Sequence, residues 1–286
     1  MTISITDAIG SAAQLLETAG VQEARREAGS LLARVLNRDR TFVIAHAEDE
    51  LSDEQLAQFR AAVGRRARRE PLQYITGLEE FFKLEFEVTP DVLIPRPETE
   101  MVVETALELL GVETRPLIAD IGAGSGCIVI SLLAELPNAH ALATDVSAPA
   151  LRVAQRNAVR HRVIDRLEFV VSDCFSSLAP AAQFSLIASN PPYVSENELE
   201  MLQPEVRYEP SPALFANQNG LAIIQRLLSE APPFLKADGH LIFEIGFGQS
   251  EAVKNLIDLD VWKLIEIRAD LQGIPRTVVL QKQRRK

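Results

Sequence analysis

Apolar residues recur at helical spacing through residues 6–70: Ile9, Ala12, Ala13, Leu15 and Leu16, then Ala28, Leu31, Leu32, Val35 and Leu36. Ser52, three residues before Gln55, has the spacing of a capping box and predicts a further helix. That helix runs into Arg65, Arg66, Arg68 and Arg69 before Pro71 ends the helical stretch. Cations are favoured at a helix C-terminus, and contact with an RNA-bearing partner is the other reading of the four arginines. The period then changes to two: Phe82, Leu84, Phe86 and Val88 alternate with Lys83, Glu85 and Glu87, which predicts a short linking hairpin. Beyond it, strand-like runs at 117–121, 139–144, 167–172, 184–189, 240–245, 261–267 and 276–281 alternate with helical segments. Seven strands with helices between them predict an α/β fold, a doubly wound and mostly parallel sheet. The link Asp270–Pro275 is too short for a crossover helix, so the last two strands are expected to pair antiparallel. The expected organisation is a helical domain over 1–75, a linking β-hairpin over 76–90 and an α/β domain over 91–286.

Composition narrows the class. Of 286 residues, 47% are hydrophobic, enough for a substantial core, and no apolar run reaches the roughly 18–20 residues of a membrane span. The N-terminal residues lack the basic-then-apolar layout of a secretory signal. The two cysteines, Cys127 and Cys174, and the four histidines form no metal-ligand pattern, so a reduced, cytoplasmic setting and no metal are expected. The formal net charge is −11. The helical stretch is close to neutral, so nearly all of that excess falls on the α/β part, which argues against a long phosphate backbone as substrate.

Two segments carry chemistry. Leu117–Ile121 leads into Gly122-Ala123-Gly124-Ser125-Gly126 and then an apolar helical stretch from Cys127. This is strand, glycine turn and helix, an arrangement that brings backbone N–H groups up to a ligand. Asp145 follows about twenty residues on, where an acidic residue holds ribose hydroxyls. The spacing Gly-x-Gly-x-Gly departs from the dinucleotide fingerprint, so the loop alone is open to a nicotinamide cofactor, another nucleoside-bearing ligand or a ligand-free turn. Asp120 reads as an acceptor organising the loop or as a partner for a bound ammonium group. The second segment is Asn190-Pro191-Pro192-Tyr193, at the end of a strand-like run. Asn190 offers a side-chain carbonyl, the prolines fix the turn and remove N–H donors, and Tyr193 supplies an aromatic face. Together they form a clamp for a planar –NH2 group, with two acceptors for its two protons and a ring against its plane.

The chain resembles the bacterial and organellar release-factor glutamine methyltransferases. The likeness is carried by Glu70-Pro71-Leu72-Gln73-Tyr74-Ile75-Thr76-Gly77, by Val92-Leu93-Ile94-Pro95-Arg96-Pro97-Glu98-Thr99-Glu100, by the glycine loop and by Thr144-Asp145-Val146-Ser147. It continues in the Asn-Pro-Pro-Tyr clamp, Tyr208-Glu209-Pro210 and Phe243-Glu244-Ile245-Gly246. Asn-Pro-Pro-Tyr is shared with DNA adenine methyltransferases, whereas the Ile-Pro-Arg-Pro-Glu-Thr-Glu string is far more specific. Enzymes acting on a ribosomal-protein glutamine usually read Pro-Arg-Ser-Pro there. The resemblance implies a Rossmann-like methyltransferase that uses S-adenosylmethionine, with peptide chain release factors as partners and the glutamine of their Gly-Gly-Gln loop as acceptor. Adenine N6 and a ribosomal-protein glutamine are the alternative acceptors.

Carried over residue by residue, the likeness implies that Asp120, Gly122, Ala123, Gly124, Ser125, Gly126, Asp145, Asp173, Cys174 and Asn190 hold the cofactor. Arg96, Asn190, Pro191, Pro192 and Tyr193 would meet the substrate, with Asn190, Pro191 and Tyr193 catalytic. Arg96 reads as a pocket wall or as a surface partner of Glu98 or Glu100. The chain departs from the family pattern at Ser172-Asp173-Cys174, where an aromatic is common, and at Ala216-Asn217-Gln218-Asn219.

Overall fold

The computed structural model describes residues 3–111 and 113–284. It divides into two units, Met1–Leu78 with Gln203–Tyr208, and Glu79–Leu202 with Glu209–Lys286. In the first unit, helices Ile5–Thr18, Ala24–Leu36, Arg40–Ala45, Asp53–Ala67 and Leu72–Thr76 bury the stripe that the sequence pattern marks. Leu16, Leu31, Leu32 and Phe59 are almost fully inaccessible at its centre. Helix starts are set by side chains that accept orphan N–H groups. Ser4 takes Asp7 N and Asp39 takes Phe42 N, and Ser52 with Gln55 forms the full capping box. The structure adds an antiparallel pairing of Ile3–Ser4 with Glu50–Leu51. Two-residue strands are too short to carry a period, so the helical pattern hides them.

Three of the four arginines at 65–69 do more than sit as cations at a helix end. Arg66 is 5% exposed. It pairs with Glu27, and at 2.9 Å with Glu205. Arg69 grips both oxygens of Glu205, and Arg65 pairs with Glu70. Glu27 and Glu205 lie 39 and more residues away from Arg66 in the chain, so no local pattern predicts them.

The second unit is built on seven strands: β1 (Leu117–Ile121), β2 (His140–Asp145), β3 (Leu167–Val171), β4 (Phe184–Ser189), β5 (Leu235–Glu244), β6 (Trp262–Ala269) and β7 (Pro275–Lys282). Their order across the sheet is β6-β7-β5-β4-β1-β2-β3. The first five run parallel. β7 lies antiparallel between β5 and β6. This is the expected doubly wound sheet with an antiparallel final pair. β5 begins five residues before the expected start, because Lys236, Asp238 and Gly239 hide it. Asp238 turns the backbone to φ +61° and the pairing with β4 shifts there.

Alternation along the strands divides the core into two layers. Ile118, Leu186, Ala188 and Ile242 face helices Glu100–Leu110 and Cys127–Glu135. Ala119, Ile187, Leu241 and Phe243 face helix Ala222–Glu230. The 78–88 alternation resolves into strands Leu78–Phe81 and Leu84–Glu87 around a turn in which Phe82 and Lys83 both take positive φ, the geometry favoured by two-residue hairpin loops. Phe81 and Phe86 insert into the first layer. Among the described residues no helix is long and apolar enough to cross a membrane.

The buried arginine gives a test of the first unit. Arg66→Ala leaves Glu27 without its guanidinium partner while Glu205 keeps Arg69, and breaking a buried pair costs about 3–5 kcal/mol. Urea unfolding of the full chain is expected to show that loss; an unchanged midpoint would mean that water replaces the guanidinium.

Candidate functional site

After β1 the chain runs to β2 and β3 on one side, then returns to β4 on the other, so the strand order reverses between β1 and β4. Ligands of open α/β sheets bind outside the carboxyl ends of the strands at such a point. Ser189 ties these ends together by donating its hydroxyl to the Ile121 carbonyl at 2.6 Å. A cleft opens there, lined by Gly122–Ser125, Asp145–Ser147, Ser172–Cys174 and Ser189–Pro192, and closed by Val92, Pro95, Thr99, Pro210 and Pro212.

The glycine loop is shaped by its own backbone. Gly122 N and Ala123 N donate to the Thr144 carbonyl at 2.9 and 2.8 Å. At Gly126, the N-cap of helix Cys127–Glu135, φ is +81°, and a Cβ would stand 2.7 Å from Ile130 Cδ1. Gly124 N donates to Asp145 Oδ2 at 2.9 Å and Ser147 N to Oδ1 at 2.8 Å. Asp145 is therefore fixed at the cleft wall with lone pairs left over. Burial raises its pKa, opposed by the two N–H donors. Ser172 takes Ser177 N and donates to the Cys174 carbonyl, which sets Asp173 and Cys174 at the rim. Asp173 is further held by Arg226. Burial pushes the Cys174 thiol up to about 11 and the Cys127 thiol up to about 12, so neither is a ready nucleophile.

Asp120 lies under the loop and is fully buried. Its Oδ2 accepts Val129 N at 3.3 Å, and its Oδ1 has no partner. Burial, aided by Asp145, pushes its pKa up to about 7 against the pull of the Val129 N–H.

The clamp follows β4. Asn190 Nδ2 donates to Thr99 Oγ1 at 2.9 Å, and Asn190 Oδ1 is buried without a partner. Tyr193 donates its hydroxyl to Glu244 Oε1 at 3.1 Å; burial and the Glu244 charge push that phenol well above its usual range. Its ring packs where a Cβ on Gly246 would come within 3.0 Å. A Cβ on Gly220 would stand 2.0 Å from the Tyr193 carbonyl. Gln218 and Asn219 are both left-handed so that the chain can deliver Gly220 to that spot. Gln249 Nε2 donates to the same carbonyl at 3.1 Å.

Among the residues singled out from sequence, Gly122, Ala123, Gly124, Ser125, Asp145, Asp173, Cys174, Asn190, Pro191 and Pro192 line one cleft. Asp120, Gly126, Tyr193 and Arg96 stand outside its lining. Arg96 does not pair with Glu98 or Glu100. It pairs with Glu209, whose other oxygen accepts Ile94 N at 3.0 Å, while Glu100 takes Phe82 N. That pair ties the Ile-Pro-Arg-Pro segment to Pro210 at the cleft wall. The residues missed by sequence reasoning are Thr99, Glu209, Gly220 and Gln249. Thr99, Glu209 and Gly220 stood in or beside motifs already noted, but their partners lie far away in sequence.

Comparison with known proteins accords with this architecture. Residues 7–77 match the family described as the PrmC N-terminal domain, and residues 100–204 match the methyltransferase small domain. The release factor glutamine methyltransferase of Koribacter versatilis is 41% identical over 98% of this chain and 99% of its own. That of Geobacter sulfurreducens is 42% identical over 91% and 90%. A bifunctional methyltransferase of Rickettsia felis is 34% identical over 98% of this chain, which spans 58% of that longer protein. Among solved structures, the hMettl16 catalytic domain in complex with an RNA hairpin of MAT2A superimposes with a TM-score of 0.58 at 17% identity, covering 84% of this chain and 86% of that one. A methyltransferase from Pyrococcus furiosus gives 0.53 at 18% identity, over 77% and 99%. At such identities these two speak for the fold alone.

Asp120 supplies a test with a definite sign. A carboxyl that holds its proton more tightly in the folded state contributes stability below its unfolded pKa and loses it as pH rises through the folded one, here from 3.8 to about 7. Without donor, the melting temperature of Asp120→Asn relative to wild type is therefore expected to rise between about pH 4 and about pH 7. A constant difference would show that the folded carboxyl titrates normally.

Proposed function

We propose that this chain, which belongs to the release factor glutamine methyltransferase family, transfers a methyl group from S-adenosylmethionine to the side-chain amide nitrogen of the Gly-Gly-Gln glutamine of peptide chain release factors. The observation that carries the reading is the buried, unpartnered Asn190 Oδ1 at the switch-point cleft, directly before Pro191 and Pro192. A buried carbonyl without a donor is costly, and an amino group entering the cleft would relieve it.

The cleft residues fit the donor. Gly122–Ser125 bring backbone close to a ligand, and Asp145 is set to accept from ribose hydroxyls. Beneath the loop, outside the cleft lining, the unpartnered Asp120 Oδ1 carries acceptor capacity suited to an ammonium group. When bound, S-adenosylmethionine supplies a methyl group already activated on a sulfonium.

The remaining work falls to the chain. An amide nitrogen is a weak nucleophile because its lone pair is delocalised into the carbonyl. Asn190 Oδ1 and the Pro191 carbonyl accept its two N–H bonds, hold the nitrogen in line and place negative density opposite the charge that develops on it. Tyr193, held by Glu244 and backed by Gly246, supports the turn that presents these acceptors. No strong base is needed, because the amide becomes acidic once alkylated and its proton can pass to water. The names of the relatives favour a release factor over adenine or a ribosomal protein as acceptor, and a translation enzyme of this kind belongs in the cytoplasm.

The two halves of the site separate in one experiment. Asp145→Ala is expected to weaken donor binding about tenfold or more, the worth of a hydrogen bond to a charged group. Asn190→Ala should keep donor affinity and lose turnover equivalent to about 2–4 kcal/mol, by analogy with a single oxyanion-hole donor. Calorimetric titration of donor beside labelled-methyl transfer reads both; near-normal turnover in Asn190→Ala would remove the clamp from the mechanism.

The helical residues 1–75 and the hairpin are proposed to read the protein substrate. They hold none of the chemical motifs, and recognition of a folded partner needs about 800 Å² on each side, more than a glutamine loop offers. A fragment starting at Leu78 that melts cooperatively and binds donor is expected to methylate a short glutamine peptide but to lose most activity on whole factor. Equal activity of fragment and full chain on the factor would refute this role.

A further inference from the structure

We infer that Thr99 and Glu244 are positioning residues whose hydrogen-bond chain dictates which end of the Asn190 amide faces the acceptor. The inference rests on the reading of the cleft as a methyl-transfer site for a planar amino group. Glu244, at the end of β5, is 1% exposed. Its Oε2 receives the Thr99 hydroxyl at 2.6 Å and its Oε1 the Tyr193 hydroxyl at 3.1 Å. In its ionised form, the form in which both oxygens receive a hydroxyl, Glu244 only accepts, so the single proton of Thr99 is committed to it and only lone pairs remain on Thr99 Oγ1. Asn190 can meet those lone pairs only with its nitrogen, and does so at 2.9 Å.

The amide is thereby locked with Nδ2 toward Thr99 and Oδ1 turned away from it, buried and unpartnered. Reversed, the side chain would present N–H groups to an amino group that has only N–H groups to offer. Nothing in the asparagine itself prevents the reversal, since its two ends are nearly equal in size. The polarity comes from the carboxylate 54 positions further on, through a hydroxyl 91 residues before Asn190. The same carboxylate holds the Tyr193 ring, so one buried charge orients both parts of the clamp. This gives a chemical reason for Thr99 within Ile-Pro-Arg-Pro-Glu-Thr-Glu and for Glu244 within Phe-Glu-Ile-Gly.

The test is a double-mutant cycle in the full chain. Thr99→Val keeps the shape and removes the hydroxyl. It is expected to lower kcat about tenfold to a hundredfold, the range for partners that orient a reacting group, with donor Kd little changed. Thr99→Ser, which keeps the hydroxyl, should recover most of kcat. Glu244→Gln, which can donate a proton and so permit the reversed amide, should lower kcat in the same way and provides the readout if Thr99→Val fails to fold. In the Asn190→Ala background, Thr99→Val should cost nothing further, because it acts through Asn190, whereas Glu244→Gln should keep only the smaller part of its penalty that acts through Tyr193. Wild-type kcat in both single variants, or a penalty that adds in full to that of Asn190→Ala, would overturn the inference. Wild-type enzyme that ignores release factor and methylates a nucleic-acid amino group would instead overturn the substrate reading. The cycle, run with that acceptor, would still decide the role of Thr99 and Glu244.

Discussion

The Glu244 carboxylate sits at the end of strand β5 with a hydroxyl on each oxygen and almost no solvent. Burial raises its pKa, while Thr99, Tyr193 and the nearby Arg276 pull it down. A charge in such a place is tolerated only when its lone pairs are satisfied. While ionised it only accepts, so the bonds leading away from it have a fixed direction. The orientation of the Asn190 amide and the place of the tyrosine ring follow from that one-way arrangement. Residues 145 positions apart in sequence meet in this one chain of hydrogen bonds.

Topology makes the arrangement possible. The reversal of strand order between β1 and β4 leaves a crevice that neither neighbouring connection covers, and the Ser189–Ile121 bond holds its two lips in register. The glycine loop occupies one lip and the clamp the other. Packing then removes freedom from the clamp. Gly220 and Gly246 let backbone and ring approach where any Cβ would intrude, and the Arg96–Glu209 pair secures the wall opposite. The acidic balance of the chain leaves these contacts untouched, because the charges that matter here are buried and paired.

Much of this was legible from residues alone, and the exceptions share a cause. The inner strands were visible because burial on both faces makes apolar runs, and the antiparallel end because six residues cannot cross a sheet. The glycine loop and the clamp were legible because both are contiguous. What escaped depends on long-range pairing: Glu205 between Arg66 and Arg69, Glu209 against Arg96, and Thr99 between Asn190 and Glu244. The early part of β5 escaped because a polar bulge interrupts its pattern, and the Ile3–Ser4 pairing because two residues carry no period. Thr99, Glu209 and Glu244 all fell inside motifs that the resemblance marked, yet their chemistry became readable only once their partners were in place.

The central claim is that the clamp presents an amide nitrogen, and not another group, to the donor. Tandem mass spectrometry of a release factor incubated with enzyme and S-adenosylmethionine tests it most directly. A single added methyl group is expected on the side-chain nitrogen of the Gly-Gly-Gln glutamine. Methylation confined to any other residue, or transfer to nucleic acid with the factor left unmodified, would contradict it.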